Sequence, residues 1–292
     1  MTAPTAPGVV GVLGGGRMGA GIAHAFLCAG SEVRVVERDT ETAETARDRV
    51  RAALEQSADR SPTPFDTDGR SRALTVSDSM AVFAGCDLVI EAVPEQLDLK
   101  IDALQHAETA AGPDAVLASN TSSLSIGRLG AELLRPAQFI GLHFFNPVPA
   151  SALVEIVVGA ETADSLTRDA EGWVAAIGKT AITVQDAPGF ASSRLGVALG
   201  LEAIRMLEDG VASAEDIDTA MVLGYRHPVG PLRLTDLVGL DVRLGIAEYL
   251  HDRLGDRFEP PALLRRMVAD GRLGRKTGEG FYVWDETTGT NA

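Results

Sequence analysis

Short apolar runs alternate with longer amphipathic stretches through the first two-thirds of this chain, and the alternation predicts strands and helices in turn. Residues 9–13 form an apolar run that stops at three consecutive glycines, and a small-residue segment of helical character continues through Cys28 to Gly30. Residues 32–37 are a β-rich run ending in an acid, and residues 40–57 carry apolar positions at helical spacing among Glu, Arg and Ala. Residues 59–72 break this pattern and are expected to form a loop, with a short strand at 74–76. Residues 87–95 predict a buried parallel strand running into a loop. A helix over 97–110, strands at 115–119, 139–142, 153–158 and 181–184, and a helix over 163–177 complete a doubly wound α/β pattern. At Asp186-Ala187-Pro188-Gly189 the character changes. Helical stretches follow at about 190–209, 214–223, 231–253 and 260–270, with one candidate strand at 281–283. The expected architecture is a Rossmann-type α/β domain, residues 1–186, followed by an all-α domain, residues 187–292.

The glycines after the first run add chemistry to this pattern. Gly14, Gly16 and Gly19 satisfy G-x-G-x-x-G between a strand and a helix, the arrangement of a dinucleotide fingerprint. In that arrangement Gly14 permits the tight turn, Gly16 lets a pyrophosphate approach the backbone, and Gly19 lets the helix pack close to the strand. The helix N-terminus then presents its free N–H groups to the phosphates. Glu37 lies 23 residues beyond Gly14, close to the spacing of about 20 residues for an acid that bonds the adenosine ribose. An acid there repels a 2′-phosphate and favours NAD over NADP. The alternative for Glu37 is a solvated strand end.

Composition narrows the class. At 292 residues, with 45% hydrophobic and 23% charged content, the chain has material for two globular domains. A net charge of −15 argues against nucleic-acid or anionic-membrane partners. Two cysteines, Cys28 and Cys86, both in apolar surroundings, are expected to be buried free thiols rather than a disulfide or a metal site. The first residues lack the pattern of a signal peptide, no apolar run is long enough to span a membrane, and a cytoplasmic enzyme is expected.

Ligands of open parallel sheets bind beyond the carboxyl ends of the strands. That directs attention to Glu95, to residues 120–123 and to residues 143–146. His143 stands at such a strand end, and Glu155 lies twelve residues on, on a neighbouring candidate strand. An imidazole has the pKa to accept a hydroxyl proton, and a carboxylate on its other nitrogen fixes the tautomer and stabilises the imidazolium. A structural histidine with a structural ion pair is the alternative.

At these residues the chain resembles the L-3-hydroxyacyl-CoA dehydrogenase family. The matching segments are Gly14-Gly15-Gly16-Arg17-Met18-Gly19, residues 87–95, Ser119-Asn120-Thr121-Ser122-Ser123-Leu124 and His143-Phe144-Phe145-Asn146-Pro147. Residues 153–157, Pro188-Gly189-Phe190, Gly239-Leu240-Asp241 and residues 276–282 follow in the family's order. The resemblance implies NAD-dependent interconversion of (3S)-3-hydroxyacyl-CoA and 3-oxoacyl-CoA, of short chain, in fatty acid metabolism. It also implies substrate entry between the two domains and a homodimer formed through the helical domain. It assigns His143 as the base and Glu155 as its orienter. Ser122 becomes the hydrogen-bond donor to the substrate oxygen, although Ser122 or Ser123 could instead cap a helix starting near Leu124. Glu95, Lys100 and Asn146 match positions that contact the nicotinamide half of NAD, with a solvated helix lysine as the alternative for Lys100 and a turn residue for Asn146. Lys276 matches a position in a tail that folds toward the cofactor; a charged surface loop is the alternative.

Two departures stand out. Ser193 occupies a position where many relatives place Asn to hold the thioester carbonyl; a water or a shifted substrate would make up the shorter side chain. The positions that match contacts to the CoA nucleotide are Ala53 and Arg60, of which Arg60 alone could bind phosphate. Gly196 and Gly200 share a helix face and suit close packing, across a dimer or within the domain. Two other readings remain: a dehydrogenase of a free hydroxy acid or sugar acid, and an NAD-binding protein without catalysis.

Overall fold

The apolar run Val9–Leu13 forms strand β1 and is almost wholly buried. The glycines end it, and helix α1, Arg17–Cys28, starts at once. These two elements belong to a computed structural model that describes residues 4–60 and 65–284. The chain divides into two compact units, Met1–Ala187 and Pro188–Ala292.

In the first unit β2 (Glu32–Val36), α2 (Thr40–Arg60), α3 (Thr67–Arg72), β3 (Leu74–Ser77), β4 (Leu88–Glu91), α4 (Leu97–Ala111) and β5 (Val116–Ser119) follow α1. Then come α5 (Ile126–Gly130), β6 (Phe139–Phe144), β7 (Leu153–Val158), α6 (Asp164–Ala176) and β8 (Thr180–Gln185). The eight strands form one sheet in the order β3-β2-β1-β4-β5-β6-β7-β8. All neighbours pair parallel except β6 and β7, which pair antiparallel. The chain reverses its direction of travel across the sheet between β3 and β4, so β1 and β4 flank the switch point where dinucleotides bind. Val10, Val12, Val33, Val35, Leu88, Ile90, Ile140 and Leu142 are fully buried along the central strands, packed with Ile22, Phe26, Val50 and Leu54 of α1 and α2.

The expected loop at 59–72 is mostly helical. Asp59 and Arg60 complete α2, and residues 67–72 form α3 because the Asp66 carboxylate accepts from Gly69 N at 2.7 Å and caps it. Residues 61–64 lie outside the described residues. Cys28 and Cys86 are both free thiols, Cys86 buried and Cys28 partly so, and burial pushes the Cys86 thiol up to about 11. No helix among the described residues is long and apolar enough to cross a membrane, and no cluster of His, Cys, Asp and Glu among them could hold a metal.

The second unit contains α7 (Ser192–Glu208), α8 (Ala214–Thr219) with a π-helical turn at Ala220–Gly224, α9 (Pro231–Val238), α10 (Leu240–Leu254) and α11 (Ala262–Ala269). The single helix expected over 231–253 is two. Gly239, at φ +106, ends α9 and redirects the chain into α10, a conformation that suits glycine alone. Gly196 and Gly200 each face a neighbour within this unit: a Cβ would stand 3.1 Å from Arg243 Nη1 at the first and 3.3 Å from Thr235 Oγ1 at the second. Close packing inside the unit therefore accounts for both.

The candidate strand at 281–283 makes only isolated bridges. A side chain holds the segment instead. The buried Asp236 carboxylate accepts from Phe281 N at 2.9 Å, Tyr282 N at 3.0 Å and Trp284 Nε1 at 2.8 Å. Asp236→Ala leaves three donors without an acceptor, each worth about 1–3 kcal/mol when buried. A loss of roughly 3 kcal/mol or more in denaturant unfolding is expected of this variant. Asp209→Ala, at the exposed C-terminal end of α7, is expected to stay within about 0.5 kcal/mol of the parent.

Candidate active site

The cofactor cradle is built from β1, α1 and the end of β2. Gly14, at φ +96, lies so close to β4 that a Cβ would stand 2.9 Å from Ala92 O. At Gly19 a Cβ would stand 1.7 Å from Gly14 O, which forbids any side chain where α1 leaves the turn. At Gly16 the reverse holds: nothing lies within 4 Å of where a Cβ would be. Open space at the second glycine and closed space at the first and third fit a pyrophosphate over the α1 N-terminus. Gly15 has a further constraint, because a Cβ there would meet Ala46 Cβ of α2 at 2.3 Å. Only the run of three glycines signals it in the sequence.

Glu37 follows β2 and turns toward the cradle. Its Oε1 accepts from Gly15 N at 2.6 Å and its Oε2 from Arg38 N at 3.2 Å. The Arg38 side chain pairs with Asp39 at 3.1 Å and is largely exposed. The carboxylate is thus fixed beside the cradle by the glycine loop itself.

The carboxyl ends of β4, β5 and β6 form the other half. Glu91, the last residue of β4, is fully buried. Its Oε1 accepts from Val93 N at 2.6 Å and Lys100 Nζ at 2.7 Å, and its Oε2 accepts from Ser119 Oγ at 2.5 Å. Burial pushes the Glu91 carboxyl up, against the pull of Lys100, Ser119 and Val93. Lys100 is buried too, at 1% exposure, so the solvated alternative is excluded. Besides Glu91 its ammonium donates to Val93 O at 3.0 Å and lies 3.3 Å from Glu95 Oε2. Lys100 thus links the buried Glu91 carboxylate to Glu95 at the end of the array.

Glu95 gathers the turn after β5. Its Oε1 accepts from Thr121 Oγ1 at 2.6 Å, Ser122 N at 3.0 Å, Ser123 N at 3.1 Å, Ser123 Oγ at 3.0 Å and Ser122 Oγ at 3.3 Å. Burial works against the charge, but Lys100 and these hydrogen bonds outweigh it and hold the Glu95 carboxyl below its usual range. Neither Ser122 nor Ser123 caps the next helix. It starts at Ile126, and Ser125 caps it by accepting from Arg128 N at 3.1 Å while donating to Asp186 at 2.6 Å. Sequence reasoning pointed to Asn120 only as part of the polar turn and missed Glu91 and Ser119 as organisers. Asn120 Oδ1 accepts from Phe144 N at 2.8 Å and ties the serine turn to the end of β6.

His143 sits in β6 directly opposite Glu155 of β7 in the antiparallel register. Its Nδ1 lies 2.7 Å from Glu155 Oε2, with the carboxylate fully buried and the imidazole 6% exposed. Phe145 packs on the ring, centroids 4.5 Å apart. Asn146 is exposed two residues beyond β6. Arg60 is exposed at the end of α2, and Ala53 lies in the same helix. In the second unit Ser193 stands in the first turn of α7, and Lys276 pairs with the Asp241 carboxylate of α10 at 2.5 and 2.6 Å.

Comparison with known proteins adds the following. A family model described as 3-hydroxyacyl-CoA dehydrogenase, NAD binding domain, matches residues 9–187, and one described as its C-terminal domain matches residues 189–284. A probable 3-hydroxybutyryl-CoA dehydrogenase of Deinococcus radiodurans is 41% identical over 278 residues, 94% of this chain and 99% of the relative. A 3-hydroxybutyryl-CoA dehydrogenase of Mycobacterium tuberculosis is 40% identical over 279 residues, covering 94% and 98%. The crystal structure of (S)-3-hydroxybutyryl-CoA dehydrogenase from Ralstonia eutropha superposes with a TM-score of 0.92 at 38% identity, over 96% of this chain and 100% of that one.

The glycine geometry separates two substitutions. Gly16→Ala is expected to leave the melting temperature within a degree or two of the parent while weakening NADH binding at least tenfold, because the methyl occupies only ligand space. Gly19→Ala is expected to cost about 1–3 kcal/mol of stability as well, from overpacking against the Gly14 carbonyl. Differential scanning fluorimetry with and without NADH, together with a fluorescence titration, reads both.

Proposed function

The chain belongs to the 3-hydroxyacyl-CoA dehydrogenase family of NAD-dependent oxidoreductases, and from that premise we propose that it interconverts (3S)-3-hydroxyacyl-CoA and 3-oxoacyl-CoA of short acyl chain. The observation that carries this reading is the buried 2.7 Å contact between His143 Nδ1 and Glu155. With Nδ1 committed to a carboxylate, proton transfer falls to Nε2. In the oxidative direction Nε2 takes the hydroxyl proton, and Glu155 stabilises the imidazolium that results. Bound NAD supplies the hydride acceptor. In the reductive direction the imidazolium returns the proton to the 3-oxo oxygen.

The remaining roles follow the same residues. Ser122, held in the Glu95 turn, hydrogen-bonds the substrate oxygen, and Ser193 addresses the thioester carbonyl with one donor. Glu37 bonds the adenosine ribose, while Asn146 and Lys276 complete the cofactor site and Arg60 meets a CoA phosphate. A homodimer through the helical unit is supported by its surface. Leu195, Val211, Leu223 and Tyr225 are 63–76% exposed there, and Leu237, Val238 and Val242 are partly exposed. The free thiols suit a reducing compartment such as the cytoplasm.

NADH consumption with acetoacetyl-CoA tests the reading. The parent protein is expected to turn over, and His143→Ala to lose about 10²–10⁴-fold in kcat with NADH binding retained. Glu155→Gln should fall in kcat as well, because an amide cannot stabilise the imidazolium. A folded, NADH-binding protein that ignores acetoacetyl-CoA and longer 3-oxoacyl-CoAs but turns over a free hydroxy acid would overturn the CoA-linked substrate. Failure with both classes would leave a binding protein.

A further inference from the structure

Glu91, Lys100 and Glu95 form a continuous charged array at the carboxyl end of β4. Its partners set its charge. Ser119 Oγ accepts from Thr121 N at 3.2 Å and donates to Glu91 Oε2 at 2.5 Å. Val93 N and Lys100 Nζ occupy Glu91 Oε1. Burial raises the Glu91 carboxyl, and the Lys100 ammonium 2.7 Å away opposes that rise and favours the carboxylate. Glu95 Oε1 accepts from Thr121, Ser122 and Ser123. Two carboxylates and one ammonium leave a net charge of −1.

The place of this charge matters because a dinucleotide lies across the switch point. Glu37 follows β2 on one side of β1 and marks the adenosine end. The nicotinamide end then falls on the other side, over β4, β5 and β6, where the array and His143 stand. The nicotinamide ring is cationic in NAD⁺ and neutral in NADH. We propose that the Glu91–Lys100–Glu95 array is an electrostatic selector for the redox state of the cofactor, its net negative charge favouring NAD⁺ over NADH relative to an uncharged array. The proposal rests on the dinucleotide reading of the site. Glu91 is fully buried behind Lys100 and acts at a distance; it is a positioning and charge-setting residue and not a catalytic one. Glu155 adds a third carboxylate, paired with His143, that the test leaves unchanged.

The test is equilibrium binding of NAD⁺, NADH and ADP-ribose to the full-length protein, by calorimetry, for the parent and for Glu91→Gln and Glu95→Gln. Each substitution keeps the side-chain shape, removes one negative charge and turns one accepting oxygen into an NH2 donor. The expected result, in either variant, is a loss of NAD⁺ affinity roughly tenfold greater than any loss of NADH affinity. A residue that merely props up the site would weaken NAD⁺ and NADH together, and that outcome overturns the proposal, as does an unchanged ratio. Glu95→Gln, at the partly exposed end of the array, serves if the buried variant does not fold. A folded parent that binds neither NADH nor ADP-ribose sinks the dinucleotide reading and the proposal with it, an outcome distinct from an unmoved ratio.

Discussion

The closeness of α1 to β1 governs everything at the carboxyl edge of the sheet. At Gly19 the helix passes so near the carbonyl of Gly14 that no side chain fits. This approach aims the α1 N-terminus over the switch point between β1 and β4, and it leaves Gly16 facing open space. Strand order does the rest, placing Glu37 on one side of that point and Glu91, Ser119 and His143 on the other. A cofactor that spans the two sides has its ends distinguished by topology before any side chain touches it.

Charge at the edge is arranged in layers. The outer residues, Glu37 and Glu95, accept mainly backbone N–H groups and hydroxyls from the turns they organise. The inner residues, Glu91 and Glu155, are fully buried and meet one basic partner each, Lys100 and His143. Leaving such a carboxylate without its partner is expensive in a low-dielectric interior. The partners are therefore fixed as firmly as the acids, and the carboxylate at His143 Nδ1 favours one tautomer of the ring.

Much of this was legible along the chain because it rests on local pattern. Buried parallel strands show as apolar runs, the glycine spacing marks the strand-to-helix turn, and the position of His143 at the end of such a run follows from period alone. What was not legible depends on one side chain meeting distant backbone. Asp66 turns a Pro- and Asp-rich stretch into a helix, and Ser125 rather than Ser122 or Ser123 takes the cap. Gly239 sits inside a stretch whose apolar spacing continues on both sides of it, so only its backbone angle reveals two helices. Lys100 looks like any helix lysine until β4 is known to end in a buried acid beneath it.

Asp236 carries a consequence for how the second unit comes together. The three donors that satisfy it, Phe281 N, Tyr282 N and Trp284 Nε1, lie 45 to 48 residues later in the chain. During synthesis α9 emerges first, with an acid at a position that the finished unit buries. A chain cut short of Phe281 would bury that acid without any of these three donors.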